Sequence, residues 1–540
     1  MVQAGILAAA SMIVRIIGLL YRAPLTAIIG DEGNGYYGYA YNIYTIILMV
    51  SSYSIPSAIS KLIAQKLALG QYRNAQRVFR CALCYSLLVG TGGSLLLLFG
   101  AGRLVPPLAV SVLRVFAPTV FLFAILGCLR GYFQARGSMV QTSVSQILEQ
   151  IANAVVSIGA AWLLMRGASN LGSTVQAQRG AMGSALGTGS GVLIALLFML
   201  WCYLGYRKTA KRQVAEDLTG QADPFGWVFK ETILVITPFI LSGFILNLTT
   251  SLNQTIYADV MIGAKHMDQT EVTTLYGIFS NKAVVITNIP ISIATAVAAA
   301  IIPGISAAYA RKNLEETRQR AERAVRITAV IAIPSAAGLI ALAKPLTMVM
   351  FPQMASLAQA SGLLAFLAVT VVFYSISTIT NAVLQSIGRM QMPLVSAAAA
   401  LAVQTIVLEI LLRAGNAGVY ALVIVSILYA GIIFILNNRF LSRYIGLKHD
   451  TGIVFIRPAI CAAIMGADAR LVYEALAMAL GRILDRPYFV NFFALIPSLL
   501  IAVVLYFFLM VRSGTMSQQD ILQLPKGAKI AAVMHKLQWL

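Results

Sequence analysis

The sequence predicts an all-α polytopic membrane protein, and three observations predict it. Of 540 residues, 59% are hydrophobic and 11% charged, whereas a soluble protein carries charge on about a quarter of its residues. The mean hydropathy is +0.82. The apolar residues also gather into runs of about 20 or more, the length a helix needs to cross a bilayer core.

Fourteen such segments follow one another, at roughly 4–29, 37–65, 80–101, 108–129, 139–165, 180–206, 229–260, 273–303, 325–350, 356–386, 393–413, 417–438, 453–478 and 489–511. The first is longer than a signal h-region of about 7–15 residues and is interrupted by Arg15 and Arg22, so it reads as a permanent span. Basic residues that usually precede such a helix are missing, and the expected start lies slightly upstream. Asp31 and Glu32, in the turn before the second segment, read as solvated and without chemistry. Cys81 and Cys84 open the third segment as a C-x-x-C without a second ligand pair, which reads as two small buried side chains one helical turn apart. The fifth segment carries Glu149 beside Gln146 and Gln150. After the sixth comes the longest connection, 207–228, too short to fold as a domain. The seventh ends near Asp259, the eighth begins near Lys282, and the eleventh carries Glu409. Pro24, Pro56, Pro118, Pro238, Pro290, Pro303 and Pro334 interrupt apolar runs, which membrane helices tolerate where protein or water satisfies the freed carbonyls.

The formal net charge is +21. In a soluble chain this would suggest a nucleic acid partner; here the positive-inside rule accounts for most of it. With a cytoplasmic amino terminus, inside connections and tail hold 25 of the 40 basic residues and outside connections hold seven, so both termini are expected in the cytoplasm. Eight basic residues remain within segments or at their edges: Arg15, Arg22, Lys61, Arg114, Lys282, Lys344, Arg457 and Arg470.

The chain also repeats itself. Gln134-Ala-Arg-Gly-Ser-Met139 recurs as Gln385-Ser-Ile-Gly-Arg-Met390, offset by 251 positions, and a basic connection follows both the second and the eighth segments. Two copies of a six-helix unit are therefore expected, related by an axis along the membrane normal. The expected domains are an N-lobe over 1–206, a cytoplasmic linker over 207–228, a C-lobe over 229–440, two added spans over 441–512 and a cytoplasmic tail over 513–540. In the tail, Ile530, Val533, Met534 and Leu537 fall on one helix face beside Lys529 and Lys536, as in an amphipathic helix.

A charge at mid-bilayer costs at least about 2.5 kcal/mol on insertion scales and so faces a partner or a watery cavity. Arg15 and Arg22 are seven residues apart, which places both on one helix face about 10.5 Å apart. Either could pair with Glu149, Asp259 or Glu409. Alternatively, Arg15, Arg22 and Lys282 would converge on a cavity suited to an anion, arginine being adapted to bidentate phosphate binding. Glu149, Asp259, Glu409 and Lys61 are candidates for gating or ion coupling. The three histidines lie in connections or the tail, so neither a metal cluster nor a catalytic histidine is expected. A membrane glycosyltransferase or lipid phosphatase would need catalytic groups that these short loops and scattered acids do not supply.

Arg15-Ile-Ile-Gly18-Leu-Leu-Tyr21-Arg22-Ala-Pro24-Leu25, Gly30-Asp-Glu-Gly33-Asn-Gly35-Tyr-Tyr37 and Ile55-Pro56-Ser-Ala58-Ile59-Ser60-Lys61 resemble the opening of Gram-positive stage V sporulation protein B-like proteins. These are the lipid II flippase branch of the multidrug/oligosaccharidyl-lipid/polysaccharide exporter superfamily. Tyr276-Gly-Ile-Phe-Ser-Asn-Lys282, Asn288-Ile-Pro290, Ile302-Pro303-Gly-Ile-Ser306 and Leu524-Pro525-Lys526-Gly527 extend the likeness along the chain. The resemblance implies fourteen helices in two lobes, and a transporter rather than an enzyme. It would move an undecaprenyl-pyrophosphate-linked saccharide, lipid II for peptidoglycan synthesis, outward across a bacterial plasma membrane by alternating access. Arg15 matches the family's first-helix cavity arginine, and Lys282 falls near an eighth-helix arginine. The basic pair that Gram-negative members carry in the second helix is absent from Met49-Val-Ser-Ser-Tyr-Ser-Ile55. Expected partners are the lipid-linked saccharide, membrane lipids and, for a monomeric transporter serving cell shape or sporulation, the cell-wall machinery. No cofactor is expected, and coupling to the membrane potential or a monovalent cation stays open. Another lipid-linked polysaccharide unit is the alternative substrate; cationic drug antiport comes third, since this first helix is cationic.

Overall fold

The computed structural model describes residues 2–49, 55–217, 219, 223–351, 353–389, 391–447 and 450–515. The side chains of Arg15 and Lys61 lie outside that description, as does the amphipathic tail expected over 530–537. Among the described residues all regular structure is helical. Among the described residues ten helices are long and apolar enough to cross a membrane, up to eleven if the bent pair Met354–Leu367 and Val369–Ser386, at 43°, is taken as one span. The chain is an all-helical multi-pass membrane protein. It divides into two compact units, Met1–Gly277 and Ile278–Leu540.

The first unit holds α1 (Val2–Leu48), α2 (Ile55–Ala68), α3 (Tyr72–Leu104), α4 (Val110–Ala135), α5 (Val140–Arg166), α6 (Ser173–Ala215), α7 (Phe225–Ala258) and most of α8 (Gln269–Ile278). The expected external turn after the first segment is a single break. Gly30 adopts φ 69° and the helix resumes at once, because only glycine takes that backbone conformation without a Cβ clash. Asn34 Nδ2 donates to the Gly30 carbonyl at 3.0 Å, and Tyr36 Oη donates to Glu32 at 2.7 Å. Asp31 and Glu32 are half-buried rather than solvated.

Helices α5 and α6 approach through small residues, which let membrane helices pack backbone to backbone. A Cβ on Gly183 would stand 2.4 Å from the Ala161 nitrogen, and one on Gly191 would stand 2.5 Å from the Glu149 carbonyl. A second core joins Ile55, Ile59, Phe79, Tyr132 and Met199 of α2, α3, α4 and α6. Beyond the sixth apolar segment, α6 continues as a polar helix to Ala215, nine residues past the expected end; no glycine or proline interrupts it before Gly220. The remaining connection is fastened to the α2–α3 turn. Asp223 N donates to Asn74 Oδ1 at 2.9 Å while Asn74 Nδ2 donates to Asp223 at 2.8 Å, and Lys66 lies 3.6 Å from Asp223 and 3.7 Å from Glu231. The Arg73 amide donates to Asp217 at 2.8 Å.

The second unit holds α9 (Val284–Ala310), α10 (Leu314–Ala341), α11 (Ala343–Met350), α12 (Leu357–Leu367), α13 (Val369–Ser386), α14 (Gln391–Arg413), α15 (Tyr420–Ile445), α16 (Arg457–Leu480) and α17 (Pro487–Arg512). Ile376, Val383, Leu441, Cys461, Ala469 and Met510 are among its core. A wide turn, Phe279–Ala283, separates α8 from α9.

The repeated motif recurs as the same turn. In the first copy Gly137, at φ 73°, donates to the Gln134 carbonyl and Ser138 donates to that of Phe133. In the second, Gly388, at φ 76°, donates to the Gln385 carbonyl and Arg389 to that of Leu384. Both are Schellman endings, with left-handed glycine at the same position after the helix.

Two further expectations change. Cys84 is exposed while Cys81 is buried, because a spacing of three turns the second thiol about 60° away from the first. Arg130, counted among the charges of a cytoplasmic connection, lies within α4 and is 6% exposed, since the helix runs on through Gly131-Tyr-Phe133.

Candidate functional site

Helix α5 carries a polar stripe, Gln146, Glu149, Gln150 and Asn153, whose spacing keeps all four within about 100° of helix circumference. All are partly buried. Asn153 Nδ2 donates to Tyr21 Oη at 3.4 Å and accepts from Ser157 Oγ at 2.9 Å. Gly18 of α1 faces Gln150 so closely that a Cβ there would stand 3.0 Å from Nε2. The stripe thus meets α1 along the turn between Arg15 and Arg22.

Arg22 is half-buried, with Tyr21, Tyr37 and Tyr41 as its polar neighbours. The rings of Tyr37 and Tyr41 stack at 5.4 Å and those of Tyr44 and Phe116 at 4.6 Å, a largely buried aromatic cluster that packs α1 against α4. Glu149 pairs with Arg130 rather than with Arg22. Arg130 Nη2 donates to its Oε2 at 2.7 Å, and Arg130 Nε donates to Ser145 Oγ at 2.9 Å. The acid of the stripe is therefore neutralised from α4, and among the described residues Arg22 has no carboxylate partner. A half-buried cation with hydroxyl neighbours can bind an oxyanion by charge-assisted hydrogen bonds.

In the second unit Lys282 is 1% exposed. Its Nζ donates to Ser356 Oγ at 2.7 Å and lies 5.9 Å from the centre of the Phe351 ring. Reaching a ligand would require that bond to open. Asn437, 0% exposed, donates to Asn381 at 2.7 Å and Thr380 at 3.1 Å, a buried neutral polar knot. Asp259 is exposed at the end of α7. Glu409 is partly exposed and bonded by Arg413 one turn on, at 2.6 Å. Among the described residues no cluster of His, Cys, Asp and Glu could hold a metal. Arg22 and the α5 stripe stand together in the first unit, while Lys282 and Glu409 belong to the second.

Arg130, Tyr37, Tyr41 and Ser356 were not among the sequence candidates. The tyrosines announce themselves only as a dense run, Tyr36-Tyr-Gly-Tyr-Ala-Tyr41, and Arg130 only by the apolar run continuing past it.

The sequence profile described as polysaccharide biosynthesis protein matches residues 3–309. The chain belongs to that family. The MatE profile matches residues 248–411. Lipid II flippase MurJ of Bacillus subtilis (strain 168) is 24% identical over 411 residues, 72% of this chain and 73% of that protein. Stage V sporulation protein B of the same organism is 27% identical over 332 residues, 60% of this chain and 61% of that one. Among solved structures, lipid II flippase MurJ in its inward closed conformation superposes with a TM-score of 0.63 at 14% identity, covering 93% of this chain and 97% of that one. By family and fold, the chain is a transporter rather than an enzyme.

Proposed function

We propose that this protein is a flippase that moves a lipid-linked saccharide precursor across the cytoplasmic membrane, with an undecaprenyl-pyrophosphate carrier and lipid II as its substrate. The observation that carries the reading is the charge arrangement around α1. Among the described residues Arg22 has no carboxylate partner, and Glu149 of the α5 stripe is taken by Arg130, an arrangement that suits a pyrophosphate headgroup and disfavours a cationic drug. The names of the relatives, a lipid II flippase and a sporulation protein, support the same class.

In this reading fourteen spans form two six-helix lobes and two added helices, with both termini cytoplasmic by charge asymmetry. The headgroup meets the cations Arg15 and Arg22 of the first unit and is released outside by alternating access, the lipid tail remaining in the bilayer. An inward-negative potential favours outward movement of an anion by about 2.3 kcal/mol per charge per 100 mV. Export of another lipid-linked polysaccharide unit is the second reading, favoured by the family match itself.

The test is depletion in a host lacking redundant flippases, with the amount of lipid-linked wall precursor accessible at the outer surface as readout. Accessibility falls on depletion and is restored by the native chain but not by Arg15→Ala. Unchanged accessibility after depletion rejects the flippase reading for this precursor. Full rescue by Arg15→Ala removes that arginine alone.

A further inference from the structure

We propose that a groove between α4 and α6 binds the phosphate headgroup of an anionic membrane phospholipid, as a site distinct from the one that would carry the transported precursor. Pro107, Val110, Ser111, Arg114 and Val115 line one wall, Gln178 and Met182 the other, around about 440 Å³. Gln178 Nε2 donates to the Leu108 carbonyl at 2.8 Å, which ties the two walls together at one end.

Two groups in the groove have unmet polar capacity. Arg114 is exposed and, among the described residues, has no acid or hydrogen-bonding partner. The Ser111 hydroxyl is buried without a partner. An exposed arginine fork on the lining of an apolar groove matches a phosphate diester whose acyl chains run along that groove.

The groove continues into a surface suited to acyl chains. Gln178, Met182, Leu186, Leu193 and Leu197 fall within about 100° of one another on α6. The three leucines are 43%, 42% and 57% exposed, as expected of a face turned to lipid. A charge on such a face is costly unless it meets a headgroup, and a phosphate seated at Arg114 with its chains along these leucines meets both requirements. The site lies at the end of the unit with few basic residues; only its assignment to the outer leaflet rests on the orientation proposed above.

The test uses the full chain purified in neutral detergent, with bound lipid counted by native mass spectrometry during titration with dioleoyl phosphatidylglycerol, dioleoyl phosphatidylcholine or inorganic phosphate. The native chain retains one phosphatidylglycerol with about tenfold preference over phosphatidylcholine. Arg114→Ala lowers that retention about tenfold, and Met182→Trp, which fills the groove and leaves the arginine in place, does the same. Should Arg114→Ala fail to fold, the Met182→Trp titration decides alone. Equal retention in the native chain and Met182→Trp overturns the groove, because Arg114 would then be reaching the headgroup layer with no fixed lipid. Binding of inorganic phosphate without preferential lipid retention overturns it too. The readout is lipid occupancy, so its failure leaves the flippase reading untouched, and failure of that reading leaves the lipid count unchanged.

Discussion

Arg130 reaches across from α4 to Glu149 on α5 at 2.7 Å, with the two side chains 7% and 24% exposed. The pair takes up the acid of the α5 polar stripe, which therefore does not serve Arg22. Removing one partner of a buried pair costs about 3–5 kcal/mol, whereas replacing both with apolar groups of similar size is often neutral. We predict that Arg130→Ala lowers the detergent melting temperature strongly and that Arg130→Met with Glu149→Leu recovers most of the loss. Glu149→Gln should leave precursor translocation near the native level if the acid is structural; a tenfold loss of transport with unchanged melting would instead make it a coupling group.

Arg22 should behave in the opposite way. With no acid to strand, Arg22→Ala is expected to cost little stability while reducing translocation by about tenfold or more, the order of one lost charge-assisted contact of about 1.5–3 kcal/mol. Arg22→Lys should restore part of the activity, since charge is kept and the bidentate fork is lost. Precursor accessibility at the outer surface, with melting temperature in parallel, separates the two effects.

Lys282 is held by Ser356. If that hydrogen bond must open for the lysine to reach a headgroup, Ser356→Ala should raise apparent substrate affinity or transport, and Lys282→Ala should lower both. If Ser356→Ala instead destabilises the protein by about 1–3 kcal/mol with transport unchanged, the lysine is a buried structural group whose partner has been removed.

Gly35 and Gly277 make the closest helix crossing near the bend in α1. A Cβ on Gly35 would stand 2.4 Å from the Thr273 carbonyl, and one on Gly277 would stand 2.7 Å from the Gly35 nitrogen. Neither neighbour is a flexible side chain. Gly35→Val should therefore push α1 from α8 and cost about 1–3 kcal/mol, read as a lower melting temperature. Gly92→Val, with open space around its Cβ position, is the control.

The connection fastened to the α2–α3 turn has its own pH signature. The Thr219 hydroxyl and the Arg73 amide hold the Asp217 carboxyl below the usual aspartate range. A lowered native pKa contributes stability that is complete above the unfolded value, about pH 4, and is lost as pH falls through the native one. Trp227 fluorescence, recorded with the other tryptophans replaced by phenylalanine, should be flat from pH 7 to about pH 4 and change below it. Asp223→Ala should shift the signal at neutral pH, since Lys66 lies between Asp223 and the Trp227 ring.

Much of the fold was legible because a bilayer imposes a simple grammar. Long apolar runs must be helices, since no water is present to satisfy a bare backbone. The repeat was legible for a related reason: Gly137 and Gly388 each end a helix in a left-handed turn that glycine takes at the least cost. Boundaries were less legible where polar residues continue a helix outside the apolar run, as in α6, or where charge lies inside one, as at Arg130.

The sequence by itself determined the helical membrane class, the family resemblance, and the shared face of Arg15 and Arg22, because these depend on composition and on helix period alone. Tertiary structure decided the pairings. It set Arg130 on Glu149, placed Arg22 among tyrosines, and buried Lys282 against Ser356 and Phe351. Each depends on which helices pack together at close range, and a period along one helix carries no information about the charge on its neighbour.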